Sequence, residues 1–375
     1  VADLSRAYTR EREDLAELVG DDRAYSARLQ FFLSRDLLKV HGPLAELHSV
    51  NALPAARRWR VLDLGAGLGT TSLGIARFGA CTQCVDELAV TAVDIDPEAL
   101  ELFAALARDL RLLPGVPIAL ESHAHDLTRR FVPSEVRGPF ELIVIGLALN
   151  ELHGRLGTAE LVSRVLECAQ LLSDDGCLII LEPALRATSR ALQALRDSLI
   201  ERLHSEQAAL HVFAPCLHEG PCPMRVRERD YCHERIPCEL PEPLAQLAAS
   251  AHLRERDLTY SYLTLHRQAR SLAELRSTQP LLRAISGQLT SKGKTEVWLC
   301  QPEHAARAMR LDRHRTPSNA AFEAAQRGSV LHISDLSPGT PAAPSAQATL
   351  RSTRITKDAQ VELVQEWSEA GERDG

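Results

Sequence analysis

The chain has 375 residues, 45% apolar and 25% charged, with a net charge of −7 at pH 7. These globular values exclude a disordered, collagen-like or coiled-coil chain. The amino terminus, VADLSRAYTREREDLAEL, is charged throughout, and the longest apolar run, around LIVIGLAL, is strand-sized, so neither a secretory signal nor a membrane span is expected.

A cytoplasmic location is therefore the expectation, and in a reducing compartment nine cysteines point to metal before disulfide. Residues 1–50 read as a helical N-terminal region, where SARLQFFLSRDLLKVHGPLAELHSV repeats apolar residues at three- and four-residue spacing. From 51 to 205, strands at Arg58–Leu64, Ala89–Ile95, Ile118–Ser122, Phe140–Leu147 and Gly176–Leu181 alternate with helical patterns such as PEALELFAALARDL and TAELVSRVLECAQLL. Such alternation predicts a parallel sheet covered by helices on both faces. A further helix runs from about Arg186 to His204. Residues 206–257 then interrupt the pattern with a Cys-rich insertion. Residues 258–335 read as the remaining strands of the core, DLTYSYLTLH and TEVWLCQ, with a basic C-terminal part. The tail 336–375 opens on SPGTPAAPSAQAT and reads as disordered.

The segment VLDLGAGLGTTS carries the first chemical signal. Val61, Leu62 and Leu64 form a buried strand, and Gly65, Gly67 and Gly69 let the chain turn with its backbone against a ligand. The following helix starts near Thr70 or Thr71, either of which can cap it. In the dinucleotide fingerprint the third glycine falls three residues after the second; here that place is Thr70 and the pattern is GxGxG. This spacing is similar to the cofactor loop of S-adenosylmethionine-dependent methyltransferases, with Asp63 as the acidic residue two before the first glycine. Asp94 ends the second strand, placed to accept hydrogen bonds from ribose hydroxyls, and Asp126 follows the third, where that fold contacts the adenine amine. The plain structural alternatives are a turn or cap role for Asp63 and solvated strand ends for Asp94 and Asp126. The expected fold class is α/β: a seven-stranded class I S-adenosylmethionine-dependent methyltransferase (Rossmann-like) fold with a helical N-terminal extension and a Cys-rich metal-binding insertion.

No catalytic base is evident. After the fourth strand the sequence is LALNELHGR, which is not the Asn-Pro-Pro-Tyr type used for amino methylation of bases. Asn150, Glu151 and His153 are polar groups in place there, and a helix cap explains Asn150 equally well. Methyl transfer can proceed by proximity and orientation, so the lack of a base does not exclude it.

Cys216 and Cys222 lie in APCLHEGPCPM beside Pro215, Pro221 and Pro223, which rule out a helix interior or central strand. Thiols in such a loop are not explained by core packing. Cys232 follows in DYCHER and Cys300 closes the run EVWLC. Five residues separate the first pair and nine the second, unlike the tight C-x-x-C pairs of structural zinc. Iron–sulfur clusters tolerate looser spacing, so both metals remain open, with Cys238 able to replace Cys232 and with His218 and His233 as further zinc donors. Cys81 and Cys84 read as loop residues, and Cys168 and Cys177 as core. Residues 186–316 carry 20 Lys+Arg against 15 Asp+Glu within this acidic chain, nearly all of the basic residues arginine. That composition suits phosphate contacts, and on charge alone an arginine-rich composition running through the whole chain is the plainer explanation.

Together VLDLGAGLGT, APCLHEGPCPM, DYCHER, TYSYLTL and KGKTEVWLC resemble the methyltransferase-like proteins of the mitochondrial small ribosomal subunit and their bacterial relatives, over roughly residues 25 to 335. The resemblance implies S-adenosylmethionine binding and a [4Fe–4S] cluster held by Cys216, Cys222, Cys232 and Cys300. It implies action on the small ribosomal subunit and its rRNA, in assembly or translation, with no membrane or DNA partner. It also implies a cofactor fold kept without methyl transfer in the mitochondrial members; this chain keeps a fuller glycine loop and Asp94. The alternatives are a noncatalytic RNA-binding assembly factor with a structural metal site, and a zinc-binding methyltransferase of another substrate.

Overall fold

The computed structural model describes residues 22–109, 115–206, 209–253, 257–268, 271–301, 304–334, 336–338 and 351–365, with 1, 2, 4 and 5. Helical turns begin with α1 (Asp22–Ala27) and continue through a π-helical stretch (Arg28–Leu33), α2 (Ser34–Asp36) and a 3-10 turn (Leu37–Val40) to α3 (His41–Ser49). Leu33, Leu37, Val40, Leu44 and Leu47 are buried, and their three- and four-residue spacing makes one apolar stripe that faces the main sheet.

The main sheet follows. Its parts in chain order are β1 (Arg58–Leu64), α4 (Thr70–Thr82), β2 (Glu87–Asp94), α5 (Pro97–Arg108), β3 (Ile118–Ala124), β4 (Phe140–Gly146) and α6 (Leu149–Leu152). Then come α7 (Thr158–Ala169), β5 (Leu172–Pro183), α8 (Arg186–Glu206), β6 (His211–Ala214), β7 (Glu234–Pro237), α9 (Glu242–Ser250) and β8 (Asp257–His266). The strand order is β3-β2-β1-β4-β5-β8-β6, and β7 also pairs with β8. Strands β1 to β5 are parallel, β8 runs antiparallel to β5, and β6 and β7 share the far edge of β8. Relative to the dinucleotide order 3-2-1-4-5-6, one antiparallel strand is inserted before the last. This is a Rossmann-like sheet of eight strands, β7 being one beyond the seven expected.

Adjacent residues of each central strand go to opposite cores. Leu62, Ile143 and Ile180 pack with α7 and α8, while Val61, Val144 and Ile179 pack with α3, α4 and α5. Burial on both faces is why these strands are continuous apolar runs. Helix α5 starts sharply because Asp96 accepts a hydrogen bond from Ala99 N and Pro97 occupies the first turn.

Three sequence expectations are corrected here. TEVWLCQ is a strand, but not of the main sheet; β6 takes the place expected for it, because a β-pattern marks a strand without marking its neighbour. Residues 258–335 likewise contribute only β8 to the main sheet. The rest, after α10 (Leu272–Arg276), builds a second sheet from β9 (Leu282–Ala284), β10 (Leu289–Ser291), β11 (Lys294–Cys300), β12 (Ala305–Leu311) and β13 (Val330–Ile333). The tail expected to be disordered adds β14 (Ser337–Pro338), β15 (Arg351–Ile355) and β16 (Val361–Gln365) to it. Its order is β14-β15-β12-β11-β9-β13-β16, with β10 on β11. Ile355, Ala359 and Val361 are ordered by burial against Val297, Leu299, Phe322 and Leu331. Residues 339–350 and 366–375 of that tail lie outside the described residues.

The two sheets are joined by a buried ion network. Arg283 of β9 donates to Glu46 of α3 at 2.6 Å and faces Glu234 of β7 at 3.7 Å, while the Tyr262 hydroxyl of β8 donates to Glu46. Glu46 is 0% exposed, and Arg283 and Glu234 are each 2% exposed. Burial pushes the Glu234 carboxyl up to about 7 even with Arg283 opposing it. Arg283→Met leaves two buried acids without their cation and is expected to cost about 3–5 kcal/mol in denaturant unfolding. Adding Glu46→Gln should recover part of that loss, because the pair is coupled. A single variant as stable as wild type contradicts this role.

Candidate cofactor cavity and cysteine centre

The ends of β1 and β4 flank the point where strand order reverses, and a crevice there is where doubly wound sheets bind ligands. A cavity of about 310 Å³ opens at this place. Gly65, Ala66, Leu68, Thr70 and Thr71 line one side, and Gly146, Leu147, Asn150 and Glu151 another. The N-terminal helical turns supply Arg28, Phe32, Arg35, Asp36 and Lys39. Tyr25 holds those turns against the fold by donating its hydroxyl to both carboxylate oxygens of Asp96, at 2.8 and 2.7 Å.

Of the residues proposed for cofactor binding, Gly65 is among those lining the cavity, and Asp63, Gly67, Gly69, Asp94 and Asp126 are not. Gly65, Gly67 and Gly69 all have positive φ. A side chain on Gly69 would strike the Phe103 ring at 2.2 Å, so this turn requires glycine for both backbone angle and close approach. Gly69 itself stands at the head of α4 and no side chain caps the helix there, which corrects the expectation that Thr70 or Thr71 caps it. Asp94 accepts from Gly67 N at 2.7 Å and from Asp96 N at 2.9 Å, so it braces the glycine loop at the carboxyl end of β2. Burial raises its pKa, against these two backbone donors.

Asp63 is buried beneath the loop, where its Oδ2 accepts from Ser72 Oγ at 2.6 Å and ties β1 to α4. Burial pushes its carboxyl up to about 7. Asp126 accepts from the backbone N and hydroxyl of Thr128, at 2.9 and 2.7 Å, closing its own turn. It does not line the cavity, and those hydrogen bonds lower its pKa. Asn150 donates from Nδ2 to Leu147 O, and its backbone N donates to the buried Glu182. His153 is not among the lining residues.

The cysteine loop lies between α8 and β8. Cys216, Cys222 and Cys232 from this region and Cys300 from β11 line one cavity of about 40 Å³; His218 and His233 line it too, and Cys238 does not. Among the described residues, no three metal-binding side chains converge on a single ion position. Burial pushes the Cys222 thiol up to about 12, with Cys216 adding to the shift, and raises Cys232 and Cys300 as well. Four neighbouring thiols in a desolvated space resist ionisation unless a cation joins them. Cys168 and Cys177 are fully buried core residues, Cys84 is half-buried, and Cys81 stands exposed at the end of α4.

Helix α8 holds the loop by its arginines. Arg190 donates to the carbonyls of Met224, Arg227 and Asp230 through Nη1 and to that of Arg225 through Nη2, at 2.7 to 3.3 Å. Arg196, 3% exposed, donates to the carbonyls of Gly220 and His218. Asp197 accepts from Cys222 N at 3.1 Å and from Arg225 at 2.8 Å. Ser261 of β8 donates to the Cys232 carbonyl at 2.9 Å. A proline-rich segment with little regular structure is thus fixed mainly through its carbonyls.

Residues 40–329 match the family described as mitochondrial small ribosomal subunit Rsm22. The chain belongs to this family. No curated protein matches it. Solved structures similar to this Rsm22-family chain include a methyltransferase of Pyrococcus furiosus, at 13% identity over 61% of this chain and 83% of that one, with a TM-score of 0.34. An S-adenosylmethionine-dependent O-methyltransferase of Thermotoga maritima matches at 13% identity over 61% and 66%, TM-score 0.32. An rRNA methylase of Streptococcus thermophilus matches at 12% identity over 60% and 96%, TM-score 0.31. No described helix of the Rsm22-family chain is long and apolar enough to cross a membrane.

Sequence reasoning did not find the cavity-lining Arg28, Arg35 and Lys39, nor the anchors Arg190, Arg196 and Asp197. The N-terminal residues sit in a helical pattern where only the apolar stripe was informative. The arginines of α8 look like any solvated helix charges, and no spacing signal separates them.

Proposed function

We propose that this chain is a methyltransferase-like protein of the small ribosomal subunit that binds S-adenosylmethionine and a [4Fe–4S] cluster and acts on rRNA in subunit assembly or translation. The observation that carries the reading is that four cysteines, three from one arginine-bearing loop and one from a strand of the second sheet, line one cavity in a chain of this family. Four cysteines line this space, a donor set that would suit an iron–sulfur cluster, with three thiolates from one loop and a fourth from elsewhere. When bound, the cluster would supply a cross-link between the sheets; structural metal sites contribute on the order of 10 kcal/mol to folding. Its setting is the cytoplasm or the mitochondrial counterpart, where small subunits are assembled.

S-adenosylmethionine fits the cavity at the glycine loop, whose volume is at the lower end of the roughly 300–1,000 Å³ of small-molecule sites. Asp94 lies behind the glycine loop with each oxygen accepting one backbone N–H, and a second lone pair on each would be the acceptor for ribose hydroxyls. Methylation of rRNA would rest on orientation, with Asn150 and Glu151 as the polar groups on the β4 side of the cavity. Asp94→Ala is expected to weaken S-adenosylmethionine binding by about 1–3 kcal/mol in calorimetry. Equal affinity in both proteins would remove Asp94 from the cofactor site.

For RNA, the loop presents Arg229, 76% exposed at its side chain, with the half-buried Arg227 two residues before it. Arg225 is already engaged by Asp197. Arg227→Gln with Arg229→Gln should weaken binding to small-subunit rRNA and reduce the slope of log affinity against log salt by about 2. No binding by the wild type at low salt, or an unchanged slope in the variant, overturns the RNA reading.

A further inference from the structure

His218 lies two residues after Cys216 and lines cavities on two sides of the cysteine set, both of which also include Cys216, Cys232 and Cys300. Its Nε2 stands 3.5 Å from Cys300 Sγ. Its Nδ1 is buried and has no hydrogen-bond partner among the described residues. The ring's polar neighbours are therefore the Cys300 sulfur, on the Nε2 side, and the Gly220 backbone. The backbone that carries the ring is fixed: Arg196, itself buried, donates to the His218 carbonyl and to the Gly220 carbonyl.

We propose that His218 is a positioning residue that donates an Nε2–H hydrogen bond to the metal-bound Cys300 thiolate and thereby raises the reduction potential of the centre. A thiolate ligand has no proton to give, so in this contact the nitrogen must be the donor. Adding an electron to a cluster increases negative charge on its sulfurs, and an N–H directed at one of them stabilises the reduced form more than the oxidised form. The neighbours make the four positions unequal. Arg196 acts on Cys216, Cys222 and Cys300, Arg283 also on Cys300, and Glu234 on Cys232, while the imidazole contact falls on Cys300. Cys300 is also the one ligand brought by the second sheet, so the contact spans the junction between the two halves of the site.

This inference rests on the cluster reading, and the test separates the two. Full-length wild type, His218→Phe and His218→Gln are purified anaerobically and analysed for iron and sulfide, then titrated with dithionite and followed by electron paramagnetic resonance. Iron and sulfide should match in all three. At the wild-type midpoint the reduced-to-oxidised ratio of His218→Phe should be about tenfold lower, or about 59 mV for a one-electron couple. His218→Gln, which keeps a side-chain N–H at a similar reach, should recover most of the shift. A full cluster with unchanged potential in His218→Phe overturns the proposal. So does loss of iron in both variants, which would make His218 a ligand. If His218→Phe does not fold, ¹⁵N-histidine labelling of the reduced wild type decides: a ¹⁵N coupling to the cluster supports the hydrogen bond, and none overturns it. Wild type without iron and sulfide overturns the cluster reading and this inference with it.

Discussion

The buried contact of Arg283 with Glu46 and Glu234 is the constraint on which the cysteine site depends. Three of the cysteines belong to the loop beside β8, whereas Cys300 belongs to β11 of the second sheet. Cys300 pairs directly with Arg283 across β9 and β11, so the residue that fixes the junction is also the register partner of the fourth cysteine. Isolated buried charges are costly, and a cation set between two acids from α3 and β7 favours a single arrangement of the halves. Movement of the second sheet would expose those acids to low dielectric without a partner and would carry Cys300 away from the other thiols together.

The loop has the opposite character. It contains few regular hydrogen bonds of its own, and its order comes from two arginines and one aspartate on α8. Such a loop tolerates closely spaced thiols because its backbone is held from behind, leaving the sulfur side free of structural duties. On the same loop Arg229 is exposed and Arg227 half-buried.

Much of the main sheet was legible in the sequence. Leu62, Leu64, Ile143 and Ile145 show the unbroken apolar runs of doubly covered strands, and the helices between them show clear three- and four-residue periodicity. The glycine loop was legible because Gly65, Gly67 and Gly69 each need positive φ. The second sheet was not, since TEVWLC announces a strand but nothing in its alternation says which neighbour it joins. Tail strands around Ile355 and Val361 were hidden by the Pro/Ala/Ser stretch before them. Asp126 was placed by analogy, and its turn with Thr128 shows how a local hydrogen bond competes with a ligand role. The choice between Cys232 and Cys238 depended on tertiary placement, which spacing along a loop does not encode.

The central claim is that the four thiols hold an iron–sulfur cluster that joins two sheets of a methyltransferase-like fold. Anaerobic purification of the full chain, with visible absorption and analysis for iron, sulfide and zinc, tests it most directly. The account predicts about four irons and four sulfides per chain and broad absorption near ~400 nm. One zinc without sulfide, or no metal in a folded protein, would contradict it.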